Sequence, residues 1–205
     1  MKSKKRPYHH GDLREALLQA GEVMLERVGP EALSMRELAR EVGVSNNAPR
    51  RHFASKQALL DALALQGFEQ LGATLNRALA DQDPDFEKRL VKLARANIRF
   101  ATAHRALRRL MFTAKQRENA PAEVVEAAYK GLSAGPATIA YGQSVGAVGA
   151  GDTRLMSITV FAALEGLLSL SVDGKFGGIP IERLMQDVIH QIIVGLRPQR
   201  KPPAR

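Results

Sequence analysis

The chain has 205 residues, no cysteine, no tryptophan and only 5% aromatic residues. Without cysteine there is no disulfide framework and no thiolate zinc site. With few aromatics and no sustained alternation of apolar and polar positions, there is little to build strands from. Clean apolar runs are missing too. Leu155–Val172 comes nearest, but Ser157, Thr159, Glu165, Ser169 and Ser171 interrupt it. A spanning helix asks for about 20 apolar residues, so this stretch reads as a buried helix. The basic start, MKSKKRPYHH, is followed by no apolar segment, so a secretory signal is not expected there. These features point to a cytoplasmic protein. Catalytic signatures are also absent. No GK[ST] phosphate loop occurs, and Gly146-x-x-Gly149-x-Gly151 has the wrong order for a dinucleotide fingerprint and follows no strand. His104 and Ser157 have no orienting partner in the pattern, and His9 and His10 lack a further metal ligand at suitable spacing. The expectation is a non-enzyme with no cofactor and no metal.

What the chain does have is positive charge and helical periodicity. Its net charge is +9 and its pI about 10.2, which favours a polyanionic partner. Hydrophobic residues make up 45%, enough for a sizeable core. The spacing predicts a first helix from Asp12 to Arg27, with the stripe Leu13, Ala16, Leu17, Ala20, Met24 and Val28, stopped by Gly29-Pro30. Further helices are expected from Lys56 to about Leu79, across Asp85 to Thr113 as one or two, and from Glu123 to about Tyr141. After a Gly-rich connection at 142–151, Asp152 caps a helix to Val172. Asp173 to Pro180 is a turn, and Ile181 to Leu196 is the last helix. The fold expected is all-α.

The most informative stretch is Ser34 to Lys56, SMRELAREVGVSNNAPRRHFASK. Ser34 and Glu37 make a capping-box pattern, and Leu38, Ala39 and Val42 give an inward face. Gly43 suits a sharp turn, with Val44 packed beneath it. Ser45 then caps a second short helix, Asn46 to His52, carrying Asn46, Asn47, Arg50, Arg51 and His52. So short a helix needs a scaffold, and its polar surface does not suit a core. A helix-turn-helix presenting that segment to a DNA major groove explains both facts. Asn suits adenine edges and Arg suits guanine edges or phosphate. Phe53 and Leu59 anchor the unit, and Ser55 caps the next helix. Lys56, in a first helical turn where a cation is disfavoured, reads as a phosphate contact.

GVS at 43–45 and HFASK at 52–56 resemble the TetR family of bacterial transcriptional regulators. YHHGDLREALL (8–18) and FATAHRALRRLMF (100–112) resemble one branch of it. The resemblance implies an N-terminal three-helix bundle with a helix-turn-helix, and a C-terminal helical domain for ligand binding and dimerisation. The boundaries expected are 1–54 for the arm and DNA-binding domain, 55–197 for the body, and 198–205 for a basic tail. DNA contacts are implied at Ser34, Met35, Arg36, Ser45, Asn46, Asn47, Ala48, Arg50, Arg51, His52 and Lys56. Arg50 stands where the family usually has Tyr, which changes the expected base preference. The basic arm (Lys2, Lys4, Lys5, Arg6) is either solvated or reaches DNA.

The resemblance further implies a homodimer through helices near 152–172 and 181–196, a palindromic double-stranded operator, and release by a small-molecule effector. The pocket lining it implies is Phe100, His104, Arg108, Phe112, Tyr129, Phe161 and Glu165. Arg108 replaces a Tyr common in that branch, and Glu165 replaces the His of its Trp-x-x-x-His-Gly motif. These complementary changes raise two alternatives. Glu165 pairs with Arg108 in the cavity, or it faces solvent or the dimer interface. The basic row Lys88, Lys92, Arg95 and Arg99 reads as a wet face, while Asn97, among Leu90, Leu93 and Phe100, is a satisfied core group or a pocket group. A ligand-released repressor is the leading reading. An activator of the same family and a non-specific architectural DNA binder remain as alternatives.

Overall fold

The structure, a computed structural model, describes residues 10–172 and 178–198, and side chains within 13–170 and 178–198. The N-terminal arm, the segment 173–177 and the end of the tail lie outside the described residues, as do the side chains of His9, His10 and Asp12. Among the described residues all regular structure is helical: α1 (His10–Ala32), α2 (Met35–Val42), a 3-10 turn (Pro49–Arg51), α3 (Lys56–Ala78), α4 (Phe86–Ala103), α5 (Arg105–Gln116), α6 (Ala122–Gly131), α7 (Ala134–Ser144), α8 (Thr153–Val172) and α9 (Ile181–Leu196).

Local chemistry sets most of these limits. Gly29 interrupts α1 at φ 76°, ψ 171°, a left-handed φ that glycine tolerates, and Pro30 starts a separate final turn. The Ser55 hydroxyl accepts the Ala58 N–H at 3.1 Å and caps α3. Asp85 accepts the Lys88 N–H at 3.1 Å at the start of α4. Asp152 accepts from Arg154 at 2.7 Å and Leu155 at 3.2 Å at the start of α8.

Several expectations need correction. Helix α1 begins at His10, two residues before Asp12, and Val28 is exposed rather than part of a buried stripe. Ser34 sits in the cap position of α2 in extended conformation but makes no side-chain cap hydrogen bond, so the capping box is not formed. The single helix expected from Glu123 to Tyr141 is two, α6 and α7. Pro136 has no N–H for the carbonyl four residues back, so the chain restarts a helix there with proline in its first turn. Helix α7 then runs to Ser144, into the expected connection.

The chain divides into two compact units that interleave in sequence. Unit one holds the residues up to Phe68 together with His104–Ala128, and unit two holds Glu69–Ala103 together with the residues from Tyr129 onward. The motif-based boundary at residue 54 marks the end of the helix-turn-helix, whereas unit one also takes in α5.

In unit one, α1 holds the start of α5. The Glu26 carboxylate accepts the N–H of Ala106 at 3.0 Å and of Leu107 at 2.9 Å, two donors that a helix start leaves unpaired. One turn earlier, Glu22 lies 3.0 Å from the His104 ring nitrogen Nδ1. Arg117 at the end of α5 pairs with Asp61 of α3 at 2.6 Å. Phe68 meets Phe112 edge to face at 5.7 Å, and Leu17, Met24, Leu38, Leu59, Leu63 and Met111 are fully buried.

In unit two, Phe86, Leu90, Ala94 and Ile98 of α4 pack with Ile139, Val160, Leu164, Met185, Ile189 and Ile193. Each fully buried large side chain of this kind contributes about 1.5–3 kcal/mol. Small residues let the helices close up. A Cβ at Gly142 would come within 2.6 Å of Phe86 and Val148, and one at Gly135 within 2.4 Å of the Ser157 hydroxyl. Three of the four residues in the basic row of α4 are ion-paired: Lys92 joins Asp81 and Asp83, and Arg95 and Arg99 lie 4.0 and 3.9 Å from Glu182. Hydrogen bonds from Lys92 hold both carboxyl groups below the ordinary carboxylate range, and those carboxylates push the Lys92 ammonium up.

Candidate nucleic-acid interface

The motif is built outward from buried apolar residues. Leu38 and Ala39 of α2 are fully buried, and Gly43 closes the helix in the left-handed conformation at φ 76°, ψ 32°. There the Gly43 N–H reaches the Arg40 carbonyl at 3.2 Å and the Val44 N–H the Ala39 carbonyl at 2.9 Å, the paired bonds of a glycine helix stop. Arg27 of α1 pairs with Glu41 of α2 at 3.1 Å, which fixes α2 against its support.

The expected second helix, Asn46 to His52, is not an α-helix. Asn46–Ala48 form turns and Pro49–Arg51 a 3-10 turn. The cause is Pro49. An α-helix would need its N–H to reach the Ser45 carbonyl, and proline has none. That carbonyl instead accepts the Ala48 N–H at 2.9 Å. The Pro49 ring is buried, and its carbonyl accepts both His52 N–H at 3.0 Å and Phe53 N–H at 2.9 Å. Phe53 is buried as the anchor, with the Arg14 guanidinium 5.4 Å from its ring centroid. The 3-10 segment is therefore pinned from below at Pro49 and Phe53.

The outer surface is polar and positive. Arg36, Ser45, Asn46, Asn47, Arg50 and Arg51 are exposed, while Ser34, Met35, Ala48, His52 and Lys56 are half-buried. No acidic residue occurs from Val42 to Leu60, so nothing in this segment neutralises Arg50 and Arg51. Lys56 has a structural partner that its sequence position did not suggest: its ammonium donates to the Glu31 carbonyl at 2.5 Å. Two of its three N–H donors remain for other acceptors.

The residues expected to line a pocket divide between the units. Unit one holds His104, Arg108 and Phe112, spaced four apart about α5. The Arg108 guanidinium lies 5.4 Å from the Phe112 ring centroid, and burial pushes its pKa down. Phe100, Tyr129, Phe161 and Glu165 belong to unit two. Phe100 is buried, Phe161 and Glu165 are half-buried, and Tyr129 is 67% exposed. Asn97, absent from that set, is buried with no hydrogen-bond partner for its Nδ2.

A glycine-stopped helix, a pinned turn and an exposed polar, cationic edge define a DNA-binding protein of the helix-turn-helix class. Residues 17–63 match the family described as bacterial regulatory proteins, tetR family. Residues 90–193 match the tetracyclin repressor-like C-terminal domain. The chain belongs to the TetR family of transcriptional regulators.

Among curated relatives, it is 35% identical to the nucleoid occlusion factor SlmA of Aliivibrio fischeri over 99 residues, 48% of this chain and 50% of that protein. It is 47% identical to the class C tetracycline repressor protein of Escherichia coli over 51 residues, 25% of this chain and 23% of that one. The match thus spans about half or less of those relatives' length. A protein of unknown function from Rhodococcus sp. RHA1 has a solved structure with TM-score 0.87 and 38% identity, covering 94% of this chain and 99% of that one. The fatty acid degradation regulator FadR of Bacillus halodurans shares the fold at TM-score 0.71 and 20% identity, over 96% and 100% of the two chains.

Proposed function

We propose that this regulator is a cytoplasmic, homodimeric repressor that holds a palindromic operator and releases it when a small molecule binds the helical body. The observation that carries the dimer is the outer face of α8. Leu155, Ile158 and Leu170 are exposed, and Ala162 and Gly166 lie between them on the same face. Only 22% of the window Thr153–Leu170 is buried within the chain. A Cβ placed at Gly166 would meet nothing within 4 Å. A contiguous apolar stripe of this kind calls for a partner. A second copy fits it, because small residues let two like helices approach closely and a two-fold pair presents two recognition turns to two half-sites.

The effector part rests on the family resemblance and on Asn97. A buried amide donor with no acceptor is costly, and an effector carbonyl or carboxylate would satisfy it. Binding would then favour a conformer that no longer matches the operator spacing.

The test is selection of duplex DNA from a random pool by the full chain at near-physiological salt. A palindromic consensus is expected. Absence of a consensus, with binding that vanishes as salt rises, would instead favour the architectural reading. Sedimentation of wild type and Ile158→Glu checks the pairing: a dimer is expected for the first and a folded monomer for the second. A monomeric wild type at micromolar concentration would rule out pairing through α8.

A further inference from the structure

Resting on the sequence-specific reading above, we propose that Asn47 and Arg50 form one reading edge, specifying an adenine and a guanine within two base pairs of each other in each half-site. Both side chains are exposed, on either side of Ala48 and the buried Pro49. Between Ser45 and His52 a turn over Ser45–Ala48 leads into the 3-10 segment Pro49–Arg51, and the backbone bonds there span three residues. Ala48, Arg51 and His52 donate to the carbonyls of Ser45, Ala48 and Pro49 at 2.9, 3.1 and 3.0 Å.

In a three-residue repeat, side chains at i and i+3 eclipse, with a rise of about 2.0 Å per residue. Carried back from Pro49–Arg51 through the preceding turn, that repeat would place Asn47 and Arg50 along one line, separated by about 6 Å. DNA advances about 3.4 Å per base pair along a strand, so the two side chains fall one or two base pairs apart. An α-helix would put both Asn46 and Asn47 on the face of Arg50, since positions three and four apart share it, whereas a three-residue repeat keeps Asn47 in line and turns Asn46 away. Pro49 removes the α-helical register by lacking the N–H that the Ser45 carbonyl would require. The chemistry of the edge follows from its donors. An Asn amide matches adenine N6 and N7, and an Arg guanidinium matches guanine O6 and N7, each through two hydrogen bonds. Pro49 acts as the positioning residue for the pair.

The experiment repeats the random-duplex selection with wild type, Asn47→Ala, Arg50→Lys and Asn46→Ala, with a thermal melt on each protein. Wild type should select half-sites containing an adenine and a guanine no more than two base pairs apart. Asn47→Ala should lose the adenine preference and weaken binding to the selected site roughly 5- to 150-fold, the value of one bidentate base contact. Arg50→Lys keeps the charge but not the planar fork. It should lose the guanine preference by more than it loses affinity for random duplex. Asn46→Ala should lower affinity without changing the preferred base at either position.

The proposal is overturned if Asn46→Ala, rather than Asn47→Ala, relaxes the base beside the one read by Arg50. It is also overturned if the two bases lie more than two base pairs apart. Failure of wild type to yield any consensus would overturn the sequence-specific reading itself, and so is distinct from a consensus that lacks the adjacent pair.

Discussion

Glu26→Ala removes the cap of α5 without touching the 3-10 turn Pro49–Arg51. Helix α5 has no side-chain cap of its own: His104 precedes it at φ −125°, ψ 60° and gives its ring to Glu22 instead. The first-turn N–H groups of Ala106 and Leu107 both go to the Glu26 carboxylate. Deleting an N-cap costs about 0.5–2 kcal/mol. A carboxylate near the positive end of the helix dipole adds about 0.3–1 kcal/mol. Glu26 is exposed, so solvent replaces part of what is lost at Ala106, whereas the fully buried Leu107 side chain shields its own N–H better. The expected loss is about 1.5–2 kcal/mol, the middle of the summed range. In a chain of this size about 1 kcal/mol moves the thermal midpoint by about 2–4 °C, so the drop should be about 3–8 °C. Glu26→Gln keeps one acceptor oxygen without the charge and should fall between. Calorimetry gives the midpoint, and amide hydrogen exchange reads Ala106 and Leu107 directly, where exchange should accelerate. A midpoint within about 1 °C of wild type, with exchange at both amides unchanged, would refute the assignment of Glu26 as the cap.

Gly142→Ala should destabilise despite placing alanine in a helix. Its Cβ would sit 2.6 Å from Phe86 and Val148, and overpacking costs about 1–3 kcal/mol against a helix-propensity gain of about 0.5–1 kcal/mol; a higher urea midpoint would contradict this. Asp83→Asn should flatten the acid limb of stability. The Lys92 hydrogen bonds keep the Asp83 carboxyl below its ordinary range, so their contribution is complete above pH about 4 and is lost as pH falls through the lowered value. The midpoint difference between wild type and variant should therefore shrink below pH about 4, and a difference that does not depend on pH would exclude this linkage. Lys56→Met should lower the midpoint by about 2–4 °C through loss of the bond to Glu31. It should also reduce the salt slope of DNA binding by about 0.9 if one remaining donor meets a phosphate; an unchanged slope confines Lys56 to its structural role.

Local signals in the sequence carried far. The caps at Ser55 and Asp152, the glycine stop at Gly43 and the last helix from Ile181 to Leu196 all depend on residues within a few positions of one another, and all are where spacing places them. The start of α3 at Lys56 follows from the same rule. The misses have two causes. Pro49, which reads as tolerable in the first turn of a helix, instead turns the expected recognition helix into a 3-10 segment, and Pro136 divides α6 from α7. The cap on α5 and the partner of Lys56 lay beyond local reading, because Glu26 is 80 residues from Ala106 and Glu31 is 25 from Lys56. For the interface, exposure of Asn46, Asn47, Arg50 and Arg51 is what their polar types suggest. Which of them share a line depends on backbone hydrogen bonds that residue types do not reveal.

The return of α5 to unit one imposes an order in time on the making of this protein. A ribosome that has delivered Phe68 has already supplied the whole helix-turn-helix, but not the helix that meets Phe68 through Phe112 and takes its cap from Glu26. Translation at about 5–20 residues per second reaches Ala128 roughly 3–12 s later. During that interval the nascent head lacks the side chains of α5 that complete its core. Chains released early, before Arg105, would carry the motif without its brace. Such fragments would lack both the Phe112 contact and the helix that Glu26 caps, so a completed head exists only once α5 has arrived.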